Sequence, residues 1–336
     1  MKKVLVTGSA GFIGFHVCKR LLNDGFEVIG VDSLSDYYDV FLKKARLSLL
    51  KQNINFKEIN GKIEQKGFLL NIFQNLNPDY VIHLAAQAGV RYSIENPRSY
   101  LDSNVLGTFE IIEASRHFPP KHMLIASTSS AYGANTIMPY NEIDKADHQV
   151  SFYAATKKST ENFAHAYSHL FNIPITMFRF FTVYGPWGRP DMAPYKFTKS
   201  ILDGNKIDVY NNGKMKRDFT YIDDLVEGII LLLDVVPSTR INNLHVEDSL
   251  SPVAPWRLVN IGNSKPIALI DFIKATEDAL GIVAEKNFMP MQLGDVKATW
   301  ADISLIKCLT GYEPKVGIKK GMVEFVKWYK KYNKID

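Results

Sequence analysis

Short apolar runs alternate with stretches of helical periodicity along the first half of the chain. Residues 3–7 and 27–31 are apolar runs, and residues 11–23 between them repeat their apolar positions at helical spacing. This order predicts a β-α-β unit. Comparable strands are predicted further along, at residues 54–59, 80–84, 122–127 and 175–180. Such alternation is typical of an α/β fold with a doubly wound parallel sheet.

The pattern changes after Pro186, where glycine, proline, asparagine and aspartate separate shorter elements. A length of 336 residues suits two domains, or one large α/β domain with an added lobe. We predict a sheet domain over residues 1–184 and a smaller mixed α/β lobe over most of 185–336. Two segments are expected to return to the first domain, near residues 219–233 and 257–261. The uneven stretch 237–255 predicts a long surface loop.

Composition excludes several classes of protein. With 46% hydrophobic and 22% charged residues, the chain has the profile of a folded globular protein. The net charge is +5, and its one basic cluster, at residues 327–334, predicts the solvated face of a last helix, so no nucleic-acid partner is expected. Cys18 and Cys308 are far apart, and the eight histidines lack ligand spacing. We therefore predict neither a disulfide nor a metal site.

The apolar segments are too short for a membrane protein. Val4-Leu5-Val6 follows Met1-Lys2-Lys3 and is shorter than the apolar region of a signal peptide. The longest apolar run, over residues 228–233, stops at Asp234, well below the ~18–20 residues that span a bilayer. We expect a cytoplasmic protein without a membrane partner.

Residues 7–14, Thr-Gly-Ser-Ala-Gly-Phe-Ile-Gly, follow the first predicted strand and open the first helix. We call residues 8–14 the glycine loop. Glycines at this point allow a tight turn and a close approach of a pyrophosphate, whose charge meets the N–H groups of the helix N-terminus. An ordinary turn is the alternative, but the strand-loop-helix context favours a dinucleotide. The predicted contacts are Gly8, Gly11, Phe12, Ile13 and Gly14.

Asp32 ends the second predicted strand, where a carboxylate accepts the ribose hydroxyls of NAD and repels the additional phosphate of NADP. No arginine stands beside it, so NAD is the predicted cofactor. The alternative is an aspartate that caps the next segment. Small residues after the fourth strand would let the backbone approach a flat ring, and these are Leu84, Ala85 and Ala86.

Tyr153 and Lys157 are four residues apart on a predicted helix over residues 153–171, so both side chains lie on one face. Thr128 lies in a hydroxyl-rich segment at the end of the preceding strand, where α/β sheets bind ligands. An ammonium beside a phenol favours phenolate and is expected to lower the pKa of Tyr153 towards that of a general base. Such a trio can remove a proton from a sugar hydroxyl while hydride leaves for a nicotinamide. A packing pair on the helix is the alternative.

These motifs resemble the extended short-chain dehydrogenase/reductase family of nucleotide-sugar epimerases and dehydratases. The likeness runs through nearly the whole chain and is closest to the UDP-glucuronate 4-epimerases, in which DYYDV, LAAQAGVRYS and RFFTVYGPWGRPDMA are typical. It implies a Rossmann-like NAD domain, a smaller UDP-sugar lobe and a homodimer formed by two helices from each subunit. By position, Tyr153 would be the base, Lys157 its activator and ribose ligand, and Thr128 the hydroxyl partner.

The residues after Thr128 distinguish reactions within the family. Related 4,6-dehydratases usually carry Asp-Glu there, and UDP-glucuronate decarboxylases have glutamate at the position of Ser130, whereas this chain has Ser129-Ser130. The reaction that needs neither carboxylate is 4-epimerisation, which consists of hydride removal, rotation of the 4-keto sugar and hydride return. The resemblance suggests that Ser129, Ser130 and Thr182 hold the sugar carboxylate so that carbon dioxide is not lost. The alternative is that these hydroxyls satisfy buried backbone groups.

The resemblance also assigns substrate contacts outside the trio. Arg189 and Arg217 match positions that contact the nucleotide, and guanidinium suits bidentate phosphate binding. Arg91 is a further candidate for ordering the substrate or a loop, and Asp295 is one for binding a ribose hydroxyl. Each arginine could instead be an ordinary surface residue.

The chain also departs from many relatives, because Lys62 stands where an aspartate usually contacts adenine. Gln292 replaces an arginine of galactose-type epimerases, as in the glucuronate group. The leading hypothesis is therefore NAD-dependent 4-epimerisation of UDP-glucuronate to UDP-galacturonate, a reaction that would supply polysaccharide biosynthesis. Three alternatives remain: a 4-epimerase of another UDP-hexose or UDP-N-acetylhexosamine, a UDP-glucuronate decarboxylase, and a non-catalytic NAD-binding regulator.

Overall fold

A computed structural model describes residues 1–238, 246–292 and 295–335 of the chain. Its strands are β1 (Lys3–Thr7), β2 (Glu27–Asp32), β3 (Phe56–Asn60), β4 (Tyr80–His83), β5 (His122–Ala126), β6 (Ile175–Phe180), β7 (Thr182–Tyr184), β8 (Ile207–Val209), β9 (Lys216–Tyr221), β10 (Trp256–Ile261), β11 (Pro266–Ala268), β12 (Lys286–Phe288) and β13 (Ala298–Thr299).

Helices surround these strands along the whole chain. The α-helices are α1 (Phe12–Asn23), α2 (Val40–Leu50), α3 (Phe68–Leu76), α4 (Tyr92–Glu95), α5 (Pro97–Tyr100), α6 (Gly107–His117), α7 (Phe152–Phe171), α8 (Ala193–Leu202), α9 (Ile222–Leu233), α10 (Leu269–Leu280), α11 (Ser304–Thr310) and α12 (Ile318–Asn333). Leu101–Leu106 forms a π-helical turn, and Ser129–Tyr132 and Tyr210–Gly213 form 3-10 turns.

Seven parallel strands of the described residues form the main sheet, in the order β10-β6-β5-β4-β1-β2-β3. The chain builds outward from β1 to β3, then crosses back to place β4 on the other side of β1. The carboxyl ends of β1 and β4 therefore flank the switch point, where open α/β sheets bind ligands.

The predicted strands are confirmed to within two residues at their ends. The largest difference is β3, which begins at Phe56 rather than at residue 54. Ile54 is 97% exposed and lies in a turn in which the Asn53 side chain accepts the N–H of Asn55. An exposed isoleucine in a turn imitates the start of a strand in sequence, because β-branched residues favour strands in general.

Both faces of the sheet are covered, because its strands are apolar on both sides. Val4 and Val6 of β1 pack with Phe12 and Phe15 of α1 in one cluster, while Leu5 between them packs with residues of α3, α6 and α7 in a second cluster. Continuous apolar strands of this kind are typical of parallel sheets covered by helices.

The smaller sheets contain both parallel and antiparallel pairs. Strand β9 pairs in parallel with β7 and β13 and antiparallel with β11, and β8 pairs with β12. Strand β10 returns to the edge of the main sheet beside β6, and α9 packs against α1. Of the predicted returning segment 219–233, residues 219–221 lie in β9 of the smaller sheet, and only α9 packs on α1. The domain boundary at residue 185 stays a prediction.

Two sequence expectations concern less regular parts of the chain. Residues 246–255 of the predicted loop 237–255 contain neither helix nor strand, whereas residues 239–245 lie outside the described residues. In the described ranges, none of the helices combines the length and apolar character needed to cross a membrane.

Candidate active site

The predicted site residues follow the carboxyl ends of five adjacent strands of the main sheet. Gly8 follows β1, Asp32 ends β2, Leu84 follows β4, Thr128 lies shortly after β5, and Thr182 lies shortly after β6. Since all of these strands run parallel, their carboxyl ends meet at one edge of the sheet. The fold thus brings the cofactor and catalytic candidates to a single edge.

The glycine loop is packed so closely that larger residues do not fit. Gly8 has a φ of +76°, and a Cβ placed there would lie 2.8 Å from the amide nitrogen of Ala85. A Cβ on Gly14 would lie 2.0 Å from the carbonyl oxygen of Gly8, and one on Gly11 would lie 3.0 Å from the same atom. Glycine is therefore required at these positions by the close approach of the backbone.

Helix α1 begins without a side-chain cap and without an acidic residue in its first turn. The N–H groups of Phe12, Ile13 and Gly14 lie in this turn, and the helix dipole places partial positive charge there. A pyrophosphate fits these donors. Asp32 orders the same loop, because its carboxylate accepts the N–H of Ala10 at 3.0 Å and the N–H of Leu34 at 2.8 Å.

The segment after β4 is tied to the end of β1. The hydroxyl oxygen of Thr7 accepts the N–H groups of Leu84 and Ala85, both at 3.2 Å, and lies 2.7 Å from Nδ1 of His83. Burial lowers the pKa of His83 to about 3, with a smaller effect from the charge of Lys157. His83 is therefore a neutral core residue of β4.

The catalytic candidates lie on α7 and on the turn after β5. Ser151 caps α7 by accepting the N–H of Ala154, so that the helix starts one residue before the predicted residue 153. Thr128 caps the 3-10 turn Ser129–Tyr132 by accepting the N–H of Ser130 at 3.1 Å. The Thr128 hydroxyl acts to lower the pKa of Tyr153, so the two side chains lie close together.

The pKa of Tyr153 differs from the sequence expectation. Burial raises it above its ordinary value, and the Thr128 hydroxyl and the charge of Arg189 only oppose that effect. Lys157 was expected to lower it, but this lysine is itself 2% exposed, and burial lowers its pKa to about 8. The prediction of a lowered tyrosine pKa is therefore wrong for this structure, since burial outweighs the favourable charges.

The buried ion pair of Glu161 and Arg179 lies next to the Thr128, Tyr153 and Lys157 trio. Glu161, one helical turn after Lys157, accepts two bonds from the Arg179 guanidinium, at 2.9 and 2.7 Å, and a third from the Ser127 hydroxyl at 2.6 Å. Its carboxylate also opposes the lowering of the Lys157 pKa. These bonds fix the end of β5 against α7, and so fix Thr128 relative to Tyr153.

Ser129, Ser130 and Thr182 are all partly exposed at the carboxyl ends of two adjacent strands. The serines follow β5 and Thr182 starts β7 directly after β6, with β5 and β6 paired in parallel. Their hydroxyls are therefore available at the same edge of the sheet. Among the described residues, the hydroxyls of Ser129 and Ser130 make no hydrogen bond to a buried backbone group.

Arg189 lies beside the trio but is already paired. Its Nε donates to Asp191 at 3.0 Å, its Nη2 donates to the other oxygen of that carboxylate, and its guanidinium lies 5.7 Å from the centre of the Tyr37 ring. The Tyr37 hydroxyl donates to Asp191 at 3.1 Å. A substrate phosphate would therefore bind the free edge of the guanidinium or replace Asp191.

Arg91, Arg217 and Asp295 form a second cluster of predicted substrate residues. Arg91 donates to Asp295 at 3.1 Å and lies 4.9 Å from the centre of the Tyr210 ring. Burial lowers the pKa of Arg217, Asp295 raises it, and Arg91 lowers it further, which places all three charges close together. Two cations beside one carboxylate leave positive charge for an anionic ligand.

Several residues of the site were not predicted from the sequence. Glu161 was missed, although its spacing of four residues from Lys157 places it on the same helix face. Asp191 was also missed, although it lies only two residues after the predicted Arg189. No sequence pattern indicated Arg46, because its contacts with Ala10 and Trp187 join segments far apart in the chain. In the part of the chain that the structure describes, no group of three or more potential ligands could hold a metal ion.

Residues 4–244 match the model of the NAD dependent epimerase/dehydratase family. The chain is 49% identical over 329 residues to a probable UDP-glucuronate 4-epimerase of Rhizobium meliloti (strain 1021), covering 97% of this chain and 96% of that protein. It is 43% identical over 334 residues to UDP-glucuronate 4-epimerase 4 of Arabidopsis thaliana, covering 98% of this chain and 75% of that protein. The chain therefore belongs to the NAD dependent epimerase/dehydratase family.

A solved structure extends this comparison to the fold. UDP-glucuronic acid 4-epimerase from Bacillus cereus, in complex with UDP-glucuronic acid and NAD, matches with a TM-score of 0.88 and 34% identity, covering 98% of this chain and 99% of that one. The predicted Rossmann-like fold is confirmed, as is the resemblance to nucleotide-sugar epimerases that the motifs indicated.

Proposed function

We propose that this chain is an NAD-dependent 4-epimerase that interconverts UDP-glucuronate and UDP-galacturonate. The observation that carries the proposal is that Thr128 acts on Tyr153 at the edge of the sheet where Lys157 lies on the same helix face, and that Ser129-Ser130 follow instead of carboxylates. The relatives named UDP-glucuronate 4-epimerase support the same reaction and the same cofactor.

Tyr153 acts as the general base in the first step. Its oxygen accepts the proton of the sugar 4-hydroxyl, while Thr128 bonds the same substrate oxygen and Lys157 favours the phenolate by its charge. When bound, NAD accepts the hydride from C4 and later returns it. After the 4-keto sugar rotates, Tyr153 gives the proton back to O4. Hydride return to the opposite face inverts C4, so protons and electrons balance over the cycle.

Ser129, Ser130 and Thr182 keep the carboxylate of the sugar in place. A 4-keto uronate is a β-keto acid. It loses carbon dioxide when the C–C bond to its carboxylate lies parallel to the π orbitals of the keto group. Hydroxyl donors at the ends of β5 and β6 hold the carboxylate away from that alignment. A hydroxyl donates a hydrogen bond without adding negative charge, unlike the glutamate expected of a decarboxylase at residue 130.

The remaining predicted residues bind the two nucleotides. Gly8, Gly11 and Gly14, with the N–H groups of Phe12 and Ile13, hold the NAD pyrophosphate, and Asp32 holds its adenosine ribose. The nicotinamide ring of NAD lies against Leu84, Ala85 and Ala86. Lys157 binds the ribose attached to that ring. The UDP diphosphate is held by Arg189 and Arg217, while Arg91 and Asp295 contribute charge and a ribose bond at the mouth of the site.

The protein is proposed to be a cytoplasmic homodimer. Apolar side chains are exposed on the neighbouring helices α6 and α7, including Phe109 and Phe171, and on the preceding turn at Leu106. A second copy presenting the same two helices would cover them. Size-exclusion chromatography with light scattering measures the mass directly, and a monomer at micromolar concentration would contradict this assembly.

The reaction is tested by proton NMR of the purified protein with UDP-glucuronate and added NAD, following the anomeric signals over time. UDP-galacturonate rising to a fixed equilibrium supports the proposal. A UDP-pentose would mean decarboxylation and would overturn the interpretation of Ser129-Ser130. An unchanged spectrum, followed by conversion of UDP-glucose or UDP-N-acetylglucosamine, would assign the chain to another epimerase. No turnover of any of these sugars, with NAD still bound, would favour a regulator.

A further inference from the structure

Arg46 of α2 is fully buried and bridges two distant segments of the chain. Its Nη1 donates to the carbonyl oxygen of Ala10 at 2.8 Å, and its Nη2 donates to the carbonyl oxygen of Trp187 at 2.6 Å. Ala10 belongs to the glycine loop, and Trp187 belongs to residues 185–189, which we call the arginine segment because it ends at Arg189. One guanidinium therefore ties the cofactor loop to the segment that carries a substrate residue.

A second side chain makes a parallel connection. His16, on the second turn of α1, lies with Nε2 2.9 Å from the carbonyl oxygen of Pro186. Burial lowers the pKa of His16 to about 3, so the ring is neutral at physiological pH. Because a carbonyl oxygen only accepts, Nε2 carries the proton and donates it. The arginine segment is thus held by two donors, one from α1 and one from α2.

The backbone of the arginine segment is held in an unusual conformation. Trp187 has a φ of +62°, a region that costs a non-glycine residue about 1–3 kcal/mol. Its ring packs against Phe15, Trp328 and Tyr332, with ring centres 5.4–5.5 Å apart. Such a conformation persists only where its surroundings hold it. Arg46 donates to the Trp187 carbonyl oxygen in this conformation, and so helps to set the direction of the chain towards Arg189.

The charge of Arg46 lacks a carboxylate partner. Its acceptors are two carbonyl groups and the Tyr38 hydroxyl, all neutral, and it takes part in no ion pair of the described residues. Its Nε is buried and has no hydrogen-bond acceptor among those residues. A buried cation with neutral acceptors is unfavourable until an anion approaches. The N-terminus of α1, beside Ala10, is the place where a pyrophosphate would supply that charge.

We propose that Arg46 is a positioning residue that couples NAD binding at the glycine loop to the conformation of the arginine segment, and thereby to the binding of the UDP diphosphate by Arg189. The proposal rests on the proposed function in that both ligands must bind. An anion at the loop stabilises the guanidinium, whose bond to Trp187 in turn stabilises the segment. By thermodynamic linkage, each ligand strengthens the binding of the other by the same factor.

The test measures the dissociation constant of NAD by fluorescence titration, without UDP and with saturating UDP. We expect UDP to tighten NAD binding to the wild-type protein by about tenfold, an ordinary size for such coupling. In Arg46→Met the factor should fall to about one, because the bridge is lost. Tyr38→Phe is the matched control, since it removes one acceptor of the same guanidinium but leaves the bridge intact, and it should keep the coupling.

A second variant and a second readout protect the test against loss of folding. Arg46→Lys keeps the charge, but one ammonium does not span both carbonyl groups, so the coupling should fall while the fold persists. In the wild-type protein, chymotrypsin cleavage after Trp187 should slow severalfold when NAD alone is added. If neither Arg46 variant folds, this protection decides the question.

Any of these results would overturn the proposal: independent binding of NAD and UDP to the wild-type protein, unchanged coupling in a folded Arg46 variant, or no protection of Trp187 by NAD. A loss of coupling in Tyr38→Phe equal to that in Arg46→Met would also overturn it. Failure of the proposed function is distinguishable, because the wild-type protein would then bind neither NAD nor UDP, or would bind both without turnover of UDP-sugars.

Discussion

The proposed catalytic trio and Arg91 of the Arg91–Arg217–Asp295 cluster differ in how far they are buried. Thr128 and Lys157 are 7% and 2% exposed, and the Glu161–Arg179 pair beneath them is buried. In contrast, the side chain of Arg91 is 46% exposed, and its bond to Asp295 joins two loops 204 residues apart. Proton and hydride transfer require fixed distances between reacting atoms, whereas a substrate must enter and leave. We therefore expect the buried groups to form a rigid region, and Arg91 with its bond to Asp295 to lie in an adjustable region.

The largest effect should come from the centre of the rigid region. Tyr153→Phe removes the base but keeps the ring that packs 5.9 Å from Tyr100. We expect kcat to fall by about 10²–10⁴-fold, with little change in the dissociation constants of NAD and UDP. Steady-state kinetics and ligand titrations measure both. A variant that retains more than a tenth of wild-type kcat would exclude Tyr153 as the base.

The next largest effect concerns the tight packing of the cofactor loop. In Gly14→Ala the new methyl group would lie 2.0 Å from the carbonyl oxygen of Gly8, so the loop must move. Such overpacking costs typically ~1–3 kcal/mol, which predicts up to about 100-fold weaker NAD binding by titration.

Gly317→Ala is the matched control for this change, because nothing lies within 4 Å of a Cβ at that position. Its NAD affinity should equal that of the wild-type protein. Equal affinities in all three proteins would mean that the packing of the glycine loop does not govern cofactor binding.

The pH dependence reports on the buried lysine. Burial lowers the pKa of Lys157 to about 8, so the ammonium that favours the phenolate is lost as the pH rises through that value. Because burial also raises the pKa of Tyr153 above its ordinary value, phenolate is still gained while the ammonium is lost, so kcat/KM should rise up to about pH 8 and then level off. Initial rates measured from about pH 6 to about pH 10 give the pH profile of kcat/KM.

Lys157→Arg is the control for the pH profile. A guanidinium stays charged over this range, so kcat/KM should continue to rise above about pH 8 even though the rate is lower. The same levelling near about pH 8 in Lys157→Arg would assign it to another group and not to Lys157.

The smallest effect should come from the adjustable region. Arg91→Gln removes a partly exposed charge, and exposed ion pairs are worth ~0–1 kcal/mol, so KM for the UDP-sugar should rise only about two- to fivefold with kcat unchanged. The difference should shrink in high salt. Arg20→Gln, which removes another half-exposed paired arginine from α1, should leave KM unchanged. A large drop in kcat for Arg91→Gln would place Arg91 with the rigid groups instead.

The fold was largely predictable because its signals are local. Apolar runs marked the strands of the main sheet, and a glycine triplet between strand and helix marked the cofactor loop. Ser151 explains why α7 begins at Phe152, since a serine cap sets the start of a helix. The positions of the three proposed catalytic residues were also predictable, because Tyr153 and Lys157 share a helix and Thr128 follows a strand end.

The missed features depend on contacts between segments that are distant in sequence. Arg46 is 141 residues from Trp187, and no spacing rule connects the two. The wrong expectation for the Tyr153 pKa has a similar cause. Sequence spacing places a lysine near the tyrosine, but the loss of water around both groups depends on how the whole edge of the sheet is covered.

The late return of β10 to the sheet has a consequence for fragments of this protein. Strand β6, buried along almost its whole length, has β5 on one side and β10 on the other. A chain that stops at residue 244, where the family match ends, would lack β10 and leave the second side of β6 unpaired. An apolar strand with an open edge is a site for aggregation. During synthesis, the main sheet is therefore complete only after residue 261 has left the ribosome, and expression trials of the sheet region should extend at least that far.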